Sequence, residues 1–169
     1  MGKDEMKAEL FSTYLTSLNQ DLSSHDADVL LLTCIDFRFF PKVLEHMRNA
    51  GLIGKYDQVI VAGAELGPVV DFPPDPRLHW QQFFLEHLAL SIDLHKIQRL
   101  LVLGHRGCGA YRKFDLLPEH PTPGEEYRAH KEQADKLKVL IQKFYPKLPV
   151  DNFLLSLDKP DEPITFHRL

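Results

Sequence analysis

The chain has 169 residues, enough for one domain to bury its own core without help from metal or disulfides. Hydrophobic residues make up 44% and charged residues 26%, which excludes collagen, coiled coil, wholesale disorder and a disulfide-dense mini-protein. Against 24 acidic side chains stand 20 basic ones, a net charge of −4, so no basic excess exists to neutralise phosphates and nucleic acid is not an expected partner.

Met1 to Lys7 mixes acids with bases and no apolar stretch follows, so no secretory signal is expected. Met6 stands where N-myristoylation wants Ser or Thr. No uninterrupted apolar run exceeds four residues, as at Val29–Leu32 and Leu100–Leu103, far short of the roughly 20 that span a bilayer. A soluble cytoplasmic protein without membrane contact is expected. Leu10, Phe11, Tyr14, Leu15 and Leu18 have helical spacing, which predicts a helical arm within residues 1–25, ahead of a core at 26–169.

Val29–Leu32 is a continuous apolar run of the kind found in strands covered on both faces. Pro41 can open the next helix, with Val43, Leu44 and Met47 as its apolar stripe and Gly51 as its stop. Val59–Val61 predicts a second strand, ended by Ala62-Gly63, and the prolines at 68, 73, 74 and 76 predict a segment that is neither helix interior nor central strand. A long helix is expected from Arg77 to Lys96, with Trp80, Phe83, Phe84, Leu88 and Ile92 at suitable spacing. Leu100–Leu103 forms the third strand and runs into Gly104-His105-Arg106-Gly107-Cys108-Gly109. After Pro118, Pro121 and Pro123 a polar helix is expected from about Gly124 to Tyr145, and Asn152–Leu157 is the last strand of the pass. This alternation predicts an α/β fold, a mostly parallel central sheet of four to five strands flanked by helices, in a single domain.

In such sheets the site lies beyond the carboxyl ends of the strands, near a topological switch point. Two segments occupy those ends, Cys34-Ile35-Asp36-Phe37-Arg38 and His105–Gly109, and each holds one of the two cysteines. In extended backbone Cys34, Asp36 and Arg38 would share one side, with Arg38 gripping the Asp36 carboxylate by a two-pronged hydrogen bond. Cys108 would sit near a helix N-terminus that favours its thiolate. Two thiolates and one imidazole suit Zn²⁺, and three protein ligands leave a fourth position open, the catalytic pattern. Other readings stay open from the residues alone. Cys34 can be a small buried hydrophobe, Gly104–Gly109 can cradle a phosphate, and the two cysteines can pair as a disulfide or act as a metal-free redox switch.

Cys34-x-Asp36-x-Arg38 followed by His105-x-x-Cys108-Gly109 resembles the zinc-site signature of the β-class carbonic anhydrases. Leu85–Ala89 and Ile97–His105 resemble the helix and strand that lead into the family's histidine, and the likeness covers roughly Val29 to Tyr111. It implies a β-carbonic-anhydrase-like fold and one zinc ion per chain, with Cys34, His105 and Cys108 as ligands and Asp36 occupying the fourth position in a closed form. It implies Asp36 and Arg38 as the catalytic dyad, and reversible hydration of carbon dioxide to bicarbonate by zinc-bound hydroxide. A homodimer or dimer of dimers is implied as well, for which Phe37–Phe40, Trp80, Phe83 and Phe84 offer apolar surface, although these aromatics equally suit a core. His25, His46 and His87 are candidate proton carriers, each equally a surface or packing residue.

The sequence departs from the family at Phe37, where Ser is usual, and at Val61-Ala62-Gly63-Ala64-Glu65, where Arg-Asn-Ala-Gly-Asn is usual. Arg48-Asn49-Ala50-Gly51 imitates that second motif but precedes strand two, so Gly51 reads as a helix cap. Glu65 is expected either in the pocket wall or in a salt bridge of the loop. A less polar pocket also allows a carbonyl sulfide or carbon disulfide hydrolase of the same design, or a zinc-binding module without catalysis.

Overall fold

The computed structural model describes residues 26–70, 79–157 and 164–169; the expected arm at 1–25, with His25, and most of the proline-rich segment lie outside them. The sheet has five strands in the order β2-β1-β3-β4-β5. Strands β1 (Val29–Thr33), β2 (Tyr56–Ile60), β3 (Arg99–His105) and β4 (Val150–Ser156) are parallel, and β5 (Thr165–Arg168) returns antiparallel to β4. Val29 pairs with both Tyr56 and Arg99, and Thr33 with Ile60 and Leu103, so β1 is flanked on each side along its whole length. All five of its residues are buried, as expected of a strand with both faces covered.

The pleat sends alternate side chains to opposite faces. Leu30, Leu32, Leu100 and Val102 join Phe84, Leu88, Leu137 and Ile141 on one face, beneath α2 (His79–His95) and α4 (Pro123–Phe144). Leu31, Leu103 and Leu155 join Phe39, Val43 and Met47 on the other, beneath α1 (Phe40–Asn49). Pro41 stands at the start of α1, and Gly51 follows its end at φ +70°, the left-handed value expected of a capping glycine. The helix α4 begins at Pro123 behind a capping box, in which Thr122 accepts from Glu125 N–H and Glu125 accepts from Thr122 N–H.

Some local expectations need correction. Pro68 lies inside a 3₁₀ turn at Ala64–Val69, a tighter helix that tolerates proline because so few of its amides bond internally. Strand β2 spans Tyr56–Ile60 rather than Val59–Val61, and Val61 already belongs to the turn that leaves it. The helix expected to begin beside Cys108 is the short α3 (Gly109–Lys113), with Cys108 as its N-cap residue. Chain order places the switch point between β1 and β3, and both suspected segments leave the sheet there.

Candidate metal centre

Strand β1 stops at Thr33, and residues 34–39 turn rather than extend. The Asp36 carbonyl accepts from Phe39 N–H at 3.3 Å, closing the turn. Asp36 and Arg38 still meet, but through the turn and not along a strand edge. Arg38 Nε lies 2.9 Å from Oδ1 and Nη2 2.5 Å from Oδ2, and the Arg38 amide donates to Oδ1 at 3.1 Å. These bonds from Arg38 hold the Asp36 carboxyl down at about 2.

His105 is the last residue of β3, with its ring stacked on Phe39 at 4.4 Å between centroids. Its Nδ1 donates to the Arg106 carbonyl at 2.9 Å, which leaves the lone pair on Nε2. Gly107 takes φ +67°, turning the chain so that Cys108 caps α3. The Gly107 amide is already occupied: it donates to Glu126 Oε1 at 2.6 Å. A carboxylate at that amide repels phosphate, so the phosphate-cradle reading of Gly104–Gly109 is set aside.

The ligand atoms of Cys34, His105 and Cys108 lie within 4.8 Å of one another. The two sulfurs are 3.9 Å apart, too far for a disulfide of about 2.05 Å, and both cysteines are free. Two Zn–S bonds of about 2.3 Å meeting at the tetrahedral angle would set sulfurs about 3.8 Å apart, so the spacing fits zinc. His105 Nε2 is buried and has no hydrogen-bond partner among the described residues, with Asp36 Oδ2 3.7 Å away. A buried imidazole lone pair aimed between two thiols is the group that a soft cation satisfies. Asp36 stands beside this trio with both oxygens engaged by Arg38.

The thiols behave differently from the expectation for Cys108. Cys34 ionises first, held at about 4 by the Cys108 thiol that donates to it, against the opposing pull of burial, and helped by His105 and the Gly63 amide at 3.3 Å. Cys108 is pushed far up, chiefly by that same contact and then by burial, which outweigh the amides of Ala110 and Tyr111. Burial opposes charge on His105, yet the Cys34 thiolate raises it overall. The trio thus readily holds one negative charge, and a cation between the sulfurs is what allows the second.

Two clefts meet at Cys34, Asp36 and His105. One, about 270 Å³, is walled by Ile35, Phe37, Phe39, Phe40 and Ile60. The other is wider, about 610 Å³, and carries Arg38, Arg112 and Lys113. Phe37 is 83% exposed at the mouth of both. Of the remaining aromatics, Phe84 is fully in the core, Trp80 meets Phe114 edge-on at 6.3 Å, and Phe83 is partly exposed. His46 stacks on Phe166 and His87 on Phe83, and neither lines a cleft at the site.

Glu65 is in neither cleft wall nor in a surface salt bridge. It is fully buried, accepts from Tyr111 Oη at 2.9 Å and contacts His130 Nδ1 through the same oxygen. Its carboxylate lies against Gly104, where any Cβ would come within 2.5 Å of Oε2. Burial first, and then the charge and hydrogen bond of the Glu65 carboxylate, drive the Tyr111 hydroxyl well above its ordinary range. Sequence reasoning missed Glu126, His130 and Tyr111. For Glu126 and His130 the signal was the polar residues on the buried stripe of α4, legible only once that stripe is known, whereas Tyr111 lies on the short α3.

No family model matches the chain. Two relatives do, each described as an uncharacterized protein. One, from Rickettsia bellii, is 32% identical over 162 residues, covering 96% of this chain and 93% of the relative. The other, from Rickettsia conorii, is 30% identical over 163 residues, covering 96% and 82%. Among solved structures, a β-carbonic anhydrase of Aspergillus fumigatus superposes with TM-score 0.58 at 13% identity, covering 98% of this chain and 86% of that one. A Coccomyxa β-carbonic anhydrase crystallised with acetazolamide gives TM-score 0.54 at 15% identity, covering 98% and 82%. At such identities the likeness speaks for the fold, which is that of the β-carbonic anhydrases.

Proposed function

We propose that this chain, which belongs to one family with the Rickettsia bellii and Rickettsia conorii proteins, holds one zinc ion at Cys34, His105 and Cys108 and hydrates carbon dioxide reversibly to bicarbonate. The observation that carries this reading is the unpartnered, buried His105 Nε2 facing two sulfurs 3.9 Å apart. Zinc bound there would supply a local positive charge that lowers the pKa of water towards the neutral range.

The chain's own residues do the rest. Asp36, pinned by Arg38 and ionised at any working pH, accepts a hydrogen bond from the attacking water and turns its lone pair towards the carbon. The apolar cleft of Ile35, Phe37, Phe40 and Ile60 receives a small neutral molecule and keeps bulk water off the reacting carbon. Bicarbonate is an anion, and the basic side chains Arg38, Arg112 and Lys113 of the wider cleft favour its departure on that side. Two free thiols accord with a reducing compartment such as the cytoplasm. The exposed Ile35, Phe37 and Phe40 are the apolar surface on which a homodimer or dimer of dimers would close.

Stopped-flow hydration of carbon dioxide with a pH indicator, on protein of measured zinc content, tests the reading. A zinc-loaded chain that accelerates hydration above buffer from pH 7 to 9 supports it, and a zinc-loaded chain at the buffer rate overturns it. Phe37, apolar and exposed where the family carries Ser, favours carbonyl sulfide as a second substrate. Release of hydrogen sulfide from carbonyl sulfide, with no hydration of carbon dioxide, would select that reading instead.

A further inference from the structure

The loop between His105 and Cys108 is held by groups distant in sequence, and those groups share one helix. Glu126 and His130 are buried and four residues apart on α4, so they leave the same face one turn apart. Further along that stripe Ala134, Leu137 and Ile141 pack the sheet in the ordinary way. Only the part of the stripe nearest the site carries an acid and a histidine.

Each of them leads to a candidate ligand through other residues. Glu126 takes the Gly107 amide on Oε1 and Arg106 Nη1 on Oε2 at 3.3 Å. Arg106 also donates to the Pro123 carbonyl at 2.8 Å, and its own carbonyl fixes His105 Nδ1. His130 contacts Glu65, which takes the Tyr111 hydroxyl one turn beyond Cys108. Glu65 also sits in the 3₁₀ turn that follows Gly63, whose amide points at Cys34 Sγ. One short stretch of helix therefore reaches all three candidate ligands through no more than two intermediates.

We infer that Glu126 and His130 are positioning residues for the metal, setting the spacing of Cys34, His105 and Cys108 before an ion arrives; this rests on the zinc reading above. Groups that orient ligands in this way change metal affinity by about ten- to a hundredfold when removed. A residue needed only for packing would change stability and leave affinity alone.

The test uses the full chain, stripped of metal and titrated with Zn²⁺ against a chromophoric chelator, with Co²⁺ spectra as a second readout. Glu126→Ala should weaken Zn²⁺ binding about ten- to a hundredfold and shift the Co²⁺ visible bands. Glu126→Gln, whose amide oxygen can still accept from Gly107, should restore most of that affinity. His130→Gln fills much of the space but loses the imidazole Nδ1 contact with Glu65 and should weaken binding about tenfold, and it decides the matter if Glu126→Ala does not fold. Ser91→Ala, which breaks the Ser91–Asp57 contact at the far end of the sheet, should lower thermal stability and leave Zn²⁺ affinity unchanged. A parent chain that takes up no Zn²⁺ overturns the zinc reading and this inference together. A parent that binds while Glu126→Ala or His130→Gln binds equally tightly, with the same Co²⁺ spectrum, overturns this inference alone.

Discussion

The two loops that carry the candidate ligands are built on opposite principles. The loop after β1 is exposed and holds itself: Asp36 and Arg38, two residues apart, supply each other's partners, and Phe37 between them stands in solvent. The loop after β3 is half-buried, with Cys108 itself buried, and holds almost nothing by itself. Its amide, its arginine and the glycine before it are all fixed by Glu126 and Glu65, from elements 19 and more residues away. A buried polar backbone has to find partners wherever the fold supplies them, whereas an exposed turn can leave the remainder to water. Local sequence therefore describes the first loop well and the second poorly.

The largest effects are expected in the buried loop. Cys108→Ser should leave less than about a tenth of an equivalent of zinc on the purified chain, because a buried hydroxyl replaces the thiolate that a soft cation needs. Metal analysis after gel filtration checks it, and full occupancy would break the contrast between the loops. In the exposed loop the effect should fall on rate instead. Asp36→Asn should keep its zinc and lose about a hundredfold in hydration, since only an ionised carboxylate held by Arg38 orients the water. If zinc is lost with the activity, the exposed loop is as structural as the buried one.

How much of this was readable beforehand follows the same division. The continuous Val-Leu-Leu-Leu run disclosed β1, and Pro41, Val43 and Met47 disclosed α1, because burial on both faces and a regular stripe leave periodic marks. Strand β5 left none: its four residues are all exposed, so no alternation singles it out from a tail. Cys34, Asp36, Arg38, His105 and Cys108 could be selected by position at strand ends. Glu65 could not be placed, because its partners Tyr111 and His130 are 46 and 65 residues away and an isolated Glu beside a turn looks solvated. The polar character of α4 likewise hid Glu126 and His130 among surface acids and bases.

Two smaller effects sharpen the comparison. Gly104→Ala should cost about 2 kcal/mol in denaturant unfolding, since the added methyl meets the buried Glu65 carboxylate at 2.5 to 2.9 Å and neither side can give way freely. A neutral outcome would mean that Glu65 is free to move. Thr122→Ala should cost about 1 kcal/mol by removing the cap of α4, the helix that anchors the buried loop. The Thr122 amide and hydroxyl hold the Glu125 carboxyl below its ordinary range, so the cap is worth more with Glu125 ionised. That contribution is present at neutral pH and is lost as pH falls through the carboxylate range, a loss that chemical denaturation at descending pH should show in full for the parent and in reduced size for Thr122→Ala, whose backbone amide still donates to Glu125.

The central claim is a three-ligand zinc centre of two sulfurs and one imidazole, and X-ray absorption at the zinc edge of the purified chain tests it most directly. Two sulfurs at about 2.3 Å with two nitrogen or oxygen neighbours near about 2.0 Å is the predicted shell. A shell of four sulfurs, a shell without sulfur, or a chain that retains no zinc would contradict it.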